Sequence, residues 1–135
     1  MQNVYTRDAL VRGSFSLLTY GGIQYGYTFR FTTQDTRGIY LSCLEDFRVE
    51  LDGVQVSPYD MTIRLHSGEY AVSEMPSLGS VVIDLGEAAT IKVRDYRDLS
   101  GDHVLRLRFH DRVCFIGHTG QTITESTVDE MVVHI

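Results

Sequence analysis

The sequence lacks the features of a membrane-spanning, exported or multidomain protein. No apolar run approaches the ~20 residues that a helix needs to cross a bilayer, and there is no internal repeat, low-complexity tract or linker. The first segment, MQNVYTRDALVRG, has no apolar core like that of a signal peptide. We therefore expect a single domain over residues 1–135, located in the cytoplasm. In that compartment the two cysteines, Cys43 and Cys114, are expected to be free thiols.

Basic residues are also few. The chain has 12 lysines and arginines against 18 acidic residues, and its formal net charge is -6. Nucleic acids and anionic membranes bind proteins through basic surfaces. We therefore expect neither a nucleic acid nor a membrane as partner.

Recognisable catalytic and metal-binding motifs are missing as well. There is no P-loop, dinucleotide-binding glycine motif, Gly-x-Ser-x-Gly, Cys-x-x-Cys or His-x-His pattern. His103 and His110 occupy odd and even positions of one predicted strand, so they face opposite sides and cannot share one ion. Cys114 and His118 would lie about 13 Å apart along a strand, beyond hydrogen-bond reach. The sequence thus predicts no catalytic residue, no metal ligand and no cofactor in this chain.

What is present is the alternation typical of β-strands. Turn signals recur roughly every 8 to 15 residues, which favours an all-β sandwich or barrel. The apolar residues expected on the inner face are Tyr27, Phe29, Phe31, Phe47, Val49, Leu51, Met61, Ile63, Leu65, Ile91, Val93, Leu105, Leu107, Phe109, Val113, Phe115, Met131, Val133 and Ile135. The prediction is an antiparallel, jelly-roll-like β-sandwich with little helix.

Three local features are predicted within this fold. Asp52-Gly53 should form a tight hairpin turn, because both positions tolerate positive φ. A single helical turn near residues 72–75 should stop at Pro76. The chain should end in a strand over residues 130–135.

Two groups of side chains suggest a binding surface. Arg106, Arg108 and Arg112 share one face of a strand with His110. They either form cross-strand pairs with carboxylates such as Asp46 and Glu50, at about 0.2–1 kcal/mol each, or dock an acidic partner.

The second group is the tyrosines. The chain has eight tyrosines and no tryptophan. Tyr20, Tyr25 and Tyr27 cluster at the Gly21-Gly22 turn. Tyrosine gives a large contact area with a polar tip, which suits a protein interface or a carbohydrate-stacking surface.

The order of motifs from Thr28 to about Arg112 resembles the small β subunit of the bacterial C-glycoside deglycosidases. The motifs are TRGIYLSCLEDFRVELDGVQV, SPYDMTIRL, GEYAVSEM, LGEAATIKV and LSGDHVLRLRF. The residues that carry the resemblance are Arg37-Gly38, Leu41-Ser42, Asp52-Gly53, Tyr70, Gly86-Glu87, Thr90, Gly101 and His103. The chain departs from the family pattern at VVIDL, where an aromatic residue is common, and at RDLSG, which replaces a Gly-Gly-Leu turn.

The resemblance implies a two-subunit enzyme in which this chain is the accessory subunit. The α subunit would be a TIM barrel similar to sugar-phosphate isomerases, with a divalent metal ion, Mn²⁺. The substrate would be a 3-keto C-glycoside, for example from a flavonoid C-glucoside, and β-elimination would cleave the bond from the sugar to the aromatic carbon. This chemistry needs no residue from the β subunit, which agrees with the missing motifs.

Within this interpretation, residues 37–41 form a hypothetical interface anchor. Arg37, Ile39, Tyr40 and Leu41 are residue types that are enriched at hot spots or buried beside them. The alternative is that Ile39 and Leu41 close one end of the core. Two other functions remain open for the whole chain, namely a free-standing sugar- or flavonoid-binding sandwich and an independent metalloenzyme.

Overall fold

The described residues fold into two five-stranded β-sheets and one two-stranded sheet, with short 3₁₀ helices between strands. A computed structural model describes residues 2–6, 8–33, 38–114 and 122–135, and the side chains of 8–33, 38–112 and 126–135. The strands are β1 (Gln2–Thr6), β2 (Ser16–Tyr20), β3 (Ile23–Phe31), β4 (Ile39–Tyr40), β5 (Leu44–Leu51), β6 (Val54–Gln55), β7 (Met61–Leu65), β8 (Gly68–Ala71), β9 (Val82–Ile83), β10 (Ala89–Arg94), β11 (Asp102–Cys114) and β12 (Thr122–His134). The 3₁₀ helices span Leu41–Cys43, Pro58–Asp60 and Val72–Ser77.

The two sheets pack face to face, which confirms the predicted β-sandwich. The first sheet has the order β1-β12-β11-β5-β6, the second β2-β3-β10-β7-β8, and β4 pairs with β9. The pairs are antiparallel except for β1 with β12. Phe31 of the second sheet lies 5.5 Å from Phe47 and 5.8 Å from Phe109 of the first, measured between ring centroids. These rings join the inner faces in one core.

The predicted inner face is confirmed at most positions. Buried as expected are Tyr27, Phe29, Phe31, Val49, Leu51, Met61, Ile63, Leu65, Ile91, Val93, Leu105, Leu107, Phe109, Met131 and Val133. Phe47 is partly buried and packs against the core. Ile135 was expected inside but is exposed, because it follows the end of β12. The side chains of Val113 and Phe115 lie outside the described residues.

The hairpin prediction is confirmed, whereas the helix and final-strand boundaries were wrong. Asp52 and Gly53 have φ of 54° and 79°, as a tight two-residue turn requires. The helical turn continues through Pro76 to Ser77, since a short 3₁₀ helix makes few internal hydrogen bonds for proline to remove. The last strand begins at Thr122 rather than at residue 130. None of the described helices is long and apolar enough to cross a bilayer.

A buried carboxylate ties the N-terminal segment to the last strand. Asp129 accepts hydrogen bonds from the Leu10 backbone N–H at 2.8 Å and from the Arg12 guanidinium at 2.9 and 3.1 Å. The side chain of Asp129 is almost fully buried. Its charge is therefore matched within the chain by a guanidinium and a backbone donor.

Gly26 allows β10 to approach β3 unusually closely. Gly26 lies opposite Arg94, and an added Cβ would meet the Val93 carbonyl oxygen closer than the 3.0 Å that real Cβ atoms keep. Beside it the β2–β3 register shifts, so that Tyr25 is an extra residue with no partner in β2. This β-bulge lets Tyr25 leave the alternation of its strand.

Gly26→Ala should destabilise the protein severely, by about 3 kcal/mol or more, because backbone atoms of β10 would have to move. Urea denaturation followed by circular dichroism measures the loss. Gly79→Ala is the matched control, since its added Cβ would meet only Ser42 Oγ at 3.8 Å. Equal urea midpoints for Gly26→Ala and the unsubstituted chain would contradict the close approach.

Candidate functional site

The outer surface of the first sheet carries four arginines, which we call the arginine face: Arg48 on β5 and Arg106, Arg108 and Arg112 on β11. The core fixes their direction, because the odd-numbered neighbours in β11 are buried and even positions must point outward. Arg112 pairs with Glu45 at 2.9 Å, and Arg106 lies 3.6 Å from Glu130. Two of the three β11 arginines thus form the expected cross-strand pairs. Their partners are Glu130 and Glu45 rather than Asp46 and Glu50.

Arg108 differs from its neighbours because it faces another cation. Arg48 lies directly opposite it on β5, and Val128 lies opposite on β12. Arg48 donates to Asp46 at 2.7 Å, whereas Arg108 makes no side-chain hydrogen bond or ion pair with the described residues. Like charges directly opposite each other destabilise a sheet. Among the described residues no anion compensates Arg108, so its charge is open to an external anion.

A β-bulge in β5 sets the positions of the charged side chains around Arg108. The β5–β11 register shifts between Arg108 and His110, and Asp46 has a φ of 52°, in the left-handed region. From this position Asp46 accepts from Arg48 and lies 3.3 Å from His110 Nε2. His110 Nδ1 in turn hydrogen-bonds the Ser126 hydroxyl. Asp46 is therefore occupied by Arg48 and His110, which leaves Arg108 without it.

An apolar strip adjoins the arginine face. Val104 and Val132 lie directly opposite each other on β11 and β12, and both are exposed. Arg106 is two residues from Val104 on the same face. Arginine next to exposed aliphatic groups is a common composition of protein interfaces. The outer surface of the first sheet is thus a candidate partner-binding surface.

A carboxylate–imidazole pair fixes one end of this surface. His103 Nδ1 lies 2.6 Å from Asp52 Oδ2, and Nε2 lies 2.8 Å from the Leu99 carbonyl oxygen. Asp52 also accepts the Val104 backbone N–H at 2.9 Å. Since both ring nitrogens face acceptors, the doubly protonated imidazolium satisfies both contacts. The hydrogen bond to Asp52 raises the pKa of His103, and the same bond lowers the pKa of Asp52.

His103→Gln should lower stability most in mildly acidic solution. The His103 pKa lies above its ordinary 6.5, so this stabilisation is complete below that pH and is lost as pH rises through the folded-state pKa. The contribution of Asp52, whose pKa lies below its ordinary 3.8, is complete above that pH. Urea denaturation at about pH 5.5 and about pH 9 should show the larger difference from wild type at the lower pH.

His134→Gln is the control for this comparison. His134 Nδ1 lies 2.6 Å from Asp102 Oδ1, the same kind of contact, but its side chain is 72% exposed against 14% for His103. Exposed pairs contribute little, so we expect almost no change. A His103→Gln effect that is equal at both pH values would contradict the charged pair.

The described part of the hypothetical interface anchor, residues 37–41, lies partly in the core and partly on the surface. Ile39 and Leu41 are buried in the core, so they lie where the alternative placed them and their side chains cannot touch a partner. Tyr40, between them, is 51% exposed. Arg37 lies outside the described residues. The interface hypothesis for this stretch remains a prediction for Tyr40 and Arg37.

The structure also brings together three residues that the sequence analysis did not connect. The ligand atoms of His66, Asp84 and Glu87 lie within 4.8 Å of one another, close enough to hold a metal ion. His66 Nδ1 is 2.9 Å from Glu87, and Nε2 is 3.1 Å from Asp84. His66 is 18 positions from Asp84 and 21 from Glu87, so only the pairing of neighbouring turns could have revealed the group.

Hydrogen bonds already account for this group. The Glu87 carboxylate accepts the backbone N–H groups of His66 at 2.7 Å and of Asp84 at 3.0 Å. Burial raises the pKa of Glu87, but these backbone hydrogen bonds and the His66 side chain outweigh it, so the net shift is downward. The hydrogen bond to Glu87 raises the pKa of His66. The arrangement therefore joins two turns.

We expect Glu87→Gln to lower the free energy of unfolding by about 1–2 kcal/mol, because the amide loses the charge-assisted hydrogen bonds. Glu74→Gln, an exposed change in the 3₁₀ helix, is the control. Mn²⁺ or Zn²⁺ should leave the Tm of the unsubstituted chain unchanged. A metal-dependent rise in Tm that disappears in Glu87→Gln would instead assign a divalent cation to this group.

Comparison with known proteins identifies a family. The family model of the C-glycoside deglycosidase beta subunit matches residues 5–115. No curated protein shows significant similarity to the chain. The matched segment includes β2 to β11, and with them the arginine face, the His103–Asp52 pair and the His66–Asp84–Glu87 group.

Proposed function

The chain belongs to the C-glycoside deglycosidase beta-subunit family, and from this we propose that it is the accessory subunit of an enzyme that cleaves 3-keto C-glycosides. A beta subunit implies a complex with another subunit. The partner in this proposal is a TIM-barrel α subunit that carries the catalytic residues. The match over residues 5–115 is the observation that carries the proposal.

The proposed reaction is a β-elimination. The 3-keto group acidifies the C2 proton, and a base of the α subunit removes it to give an enolate. The enolate then reforms the ketone and a C1–C2 double bond while the bond from C1 to the aromatic carbon breaks, and the aromatic carbon takes up a proton. A divalent metal ion of the α subunit, Mn²⁺ in this proposal, supplies positive charge that stabilises the enolate.

The arginine face is the proposed contact with the α subunit. An acidic side chain of the partner would neutralise Arg108 and relieve its repulsion with Arg48. Val104 and Val132 would add apolar contact next to this ion pair. Charge complementarity of this kind mainly selects the partner and speeds association. Tyr40 is the proposed second contact.

Arg108→Glu should weaken assembly at least tenfold, since it repels the acidic surface that the face is proposed to bind. The Tm of the isolated chain should not fall, because the substitution removes the repulsion between Arg108 and Arg48. Arg30→Glu is the control: this arginine is exposed on β3, in the second sheet, opposite the uncharged Thr90.

The experiment is co-expression with the TIM-barrel partner, followed by size-exclusion chromatography and an assay on a 3-keto C-glucoside. We expect a complex that is active only with both chains and that Arg108→Glu, but not Arg30→Glu, dissociates. If the unsubstituted chains elute separately and activity is the same without this chain, the subunit proposal is wrong. If the chains assemble and Arg108→Glu does not weaken the complex, the subunit proposal stands but the arginine face is not the contact surface.

A further inference from the structure

A groove lined by four tyrosines crosses the second sheet, away from the arginine face. Its volume is about 480 Å³. We call it the tyrosine groove and define it by Tyr25, Tyr59, Tyr70 and Tyr96. Tyr59 is 81% exposed, and Tyr96 is nearly as exposed. Clustered exposed aromatic side chains are a common mark of a binding site.

Local structure positions three of these tyrosines. The bulge in β3 takes Tyr25 out of the strand alternation. Tyr59 belongs to the 3₁₀ turn Pro58–Asp60, and its own backbone N–H donates to Ser57 Oγ at 3.2 Å. The Tyr70 hydroxyl is 3.0 Å from Ser67 Oγ. These contacts fix where Tyr25, Tyr59 and Tyr70 enter the groove.

The charged groups of the groove balance. Arg94 donates to Asp60 at 2.7 Å, and Thr62 donates to Glu69 at 2.9 Å. Lys92 lies between Thr28 and Thr62 in the sheet and makes no ion pair with the described residues. Two cations and two anions leave the groove without net charge. A phosphate or other anionic ligand would gain no electrostatic advantage there over a neutral one.

Both donors and acceptors line this neutral site. The Lys92 ammonium and Arg94 guanidinium can only donate, whereas the Asp60 and Glu69 carboxylates can only accept. A ligand that uses all of them must both accept and donate, which hydroxyl groups do. Aromatic walls add a requirement for flat apolar faces. A pyranose ring has both features, since its C–H groups form apolar faces and its hydroxyls point outward.

We propose that the tyrosine groove binds a neutral saccharide. The volume falls within the roughly 300–1,000 Å³ of small-molecule pockets and suits one or two sugar rings. Tyr59 and Tyr96 contact the faces of the ring, while Lys92 and Glu69 bond its hydroxyls. The site goes beyond the proposed accessory role, because it binds ligand in this chain alone and lies in the other sheet from the arginine face.

The test is titration of the isolated full-length chain with methyl β-glucoside and phenyl β-glucoside by isothermal calorimetry and NMR. We expect saturable binding with a Kd on the order of 1 mM. The double variant Tyr59→Ala with Tyr96→Ala should bind about tenfold more weakly, because it loses the stacking faces. Tyr20→Ala is the matched control: Tyr20 is 84% exposed and does not line the groove.

Lys92→Met serves as a second variant that keeps every aromatic ring, and it should also weaken binding. The proposal is supported if the NMR chemical-shift changes caused by the sugar are confined to residues of the groove and are smaller in both variants. No saturation by about 50 mM sugar, tighter binding of inorganic phosphate, or an equal loss in Tyr20→Ala would overturn it. None of these results depends on the α subunit, so a failed groove and a failed assembly are distinguishable.

Discussion

The contact of Phe31 with Phe47 and Phe109 is the interaction on which the rest of the structure depends. It joins the two sheets, and each fully buried aromatic ring contributes about 1.5–3 kcal/mol through the hydrophobic effect. The contact also determines which way the side chains of each strand face. Once the odd positions of β3 and β11 face inward, the even positions must face solvent, so the core decides that three arginines of β11 share one outer surface.

The two proposed binding surfaces arise where this alternation is broken. The bulge at Asp46 brings Asp46 to Arg48 and His110 and leaves Arg108 opposite Arg48. The bulge at Tyr25 places an aromatic ring in the groove of the other sheet. Each bulge shifts the register of one strand pair and re-aims one side chain, while the β3–β10 and β11–β12 pairs keep a continuous register.

This explains how far the sequence could predict the structure. The sandwich, its inner face and the Asp52-Gly53 turn follow from period-two alternation and turn chemistry, which are local. The bulges, the His66–Glu87 contact and the full length of β12 depend on which strands become neighbours. Neither Tyr25 nor Asp46 could be assigned to a surface by counting along its strand, because the count changes at the bulge itself. The family motifs Asp52-Gly53, Gly86-Glu87 and His103 proved to be structural joints between turns.

The parallel pairing of β1 with β12 has a consequence for the order of folding. β1 can pair only after β12 has been synthesised. The hydrogen bonds from Leu10 and Arg12 to Asp129 likewise form only after Asp129 has been added to the chain. All strands of the second sheet have been synthesised once Arg94 is added to the chain. The first sheet also needs β12, which extends from Thr122 to His134. Contacts this distant in sequence close slowly. During synthesis, the strand pairs of the second sheet can therefore form before those of the first sheet, whose pairing needs β12 (Thr122–His134).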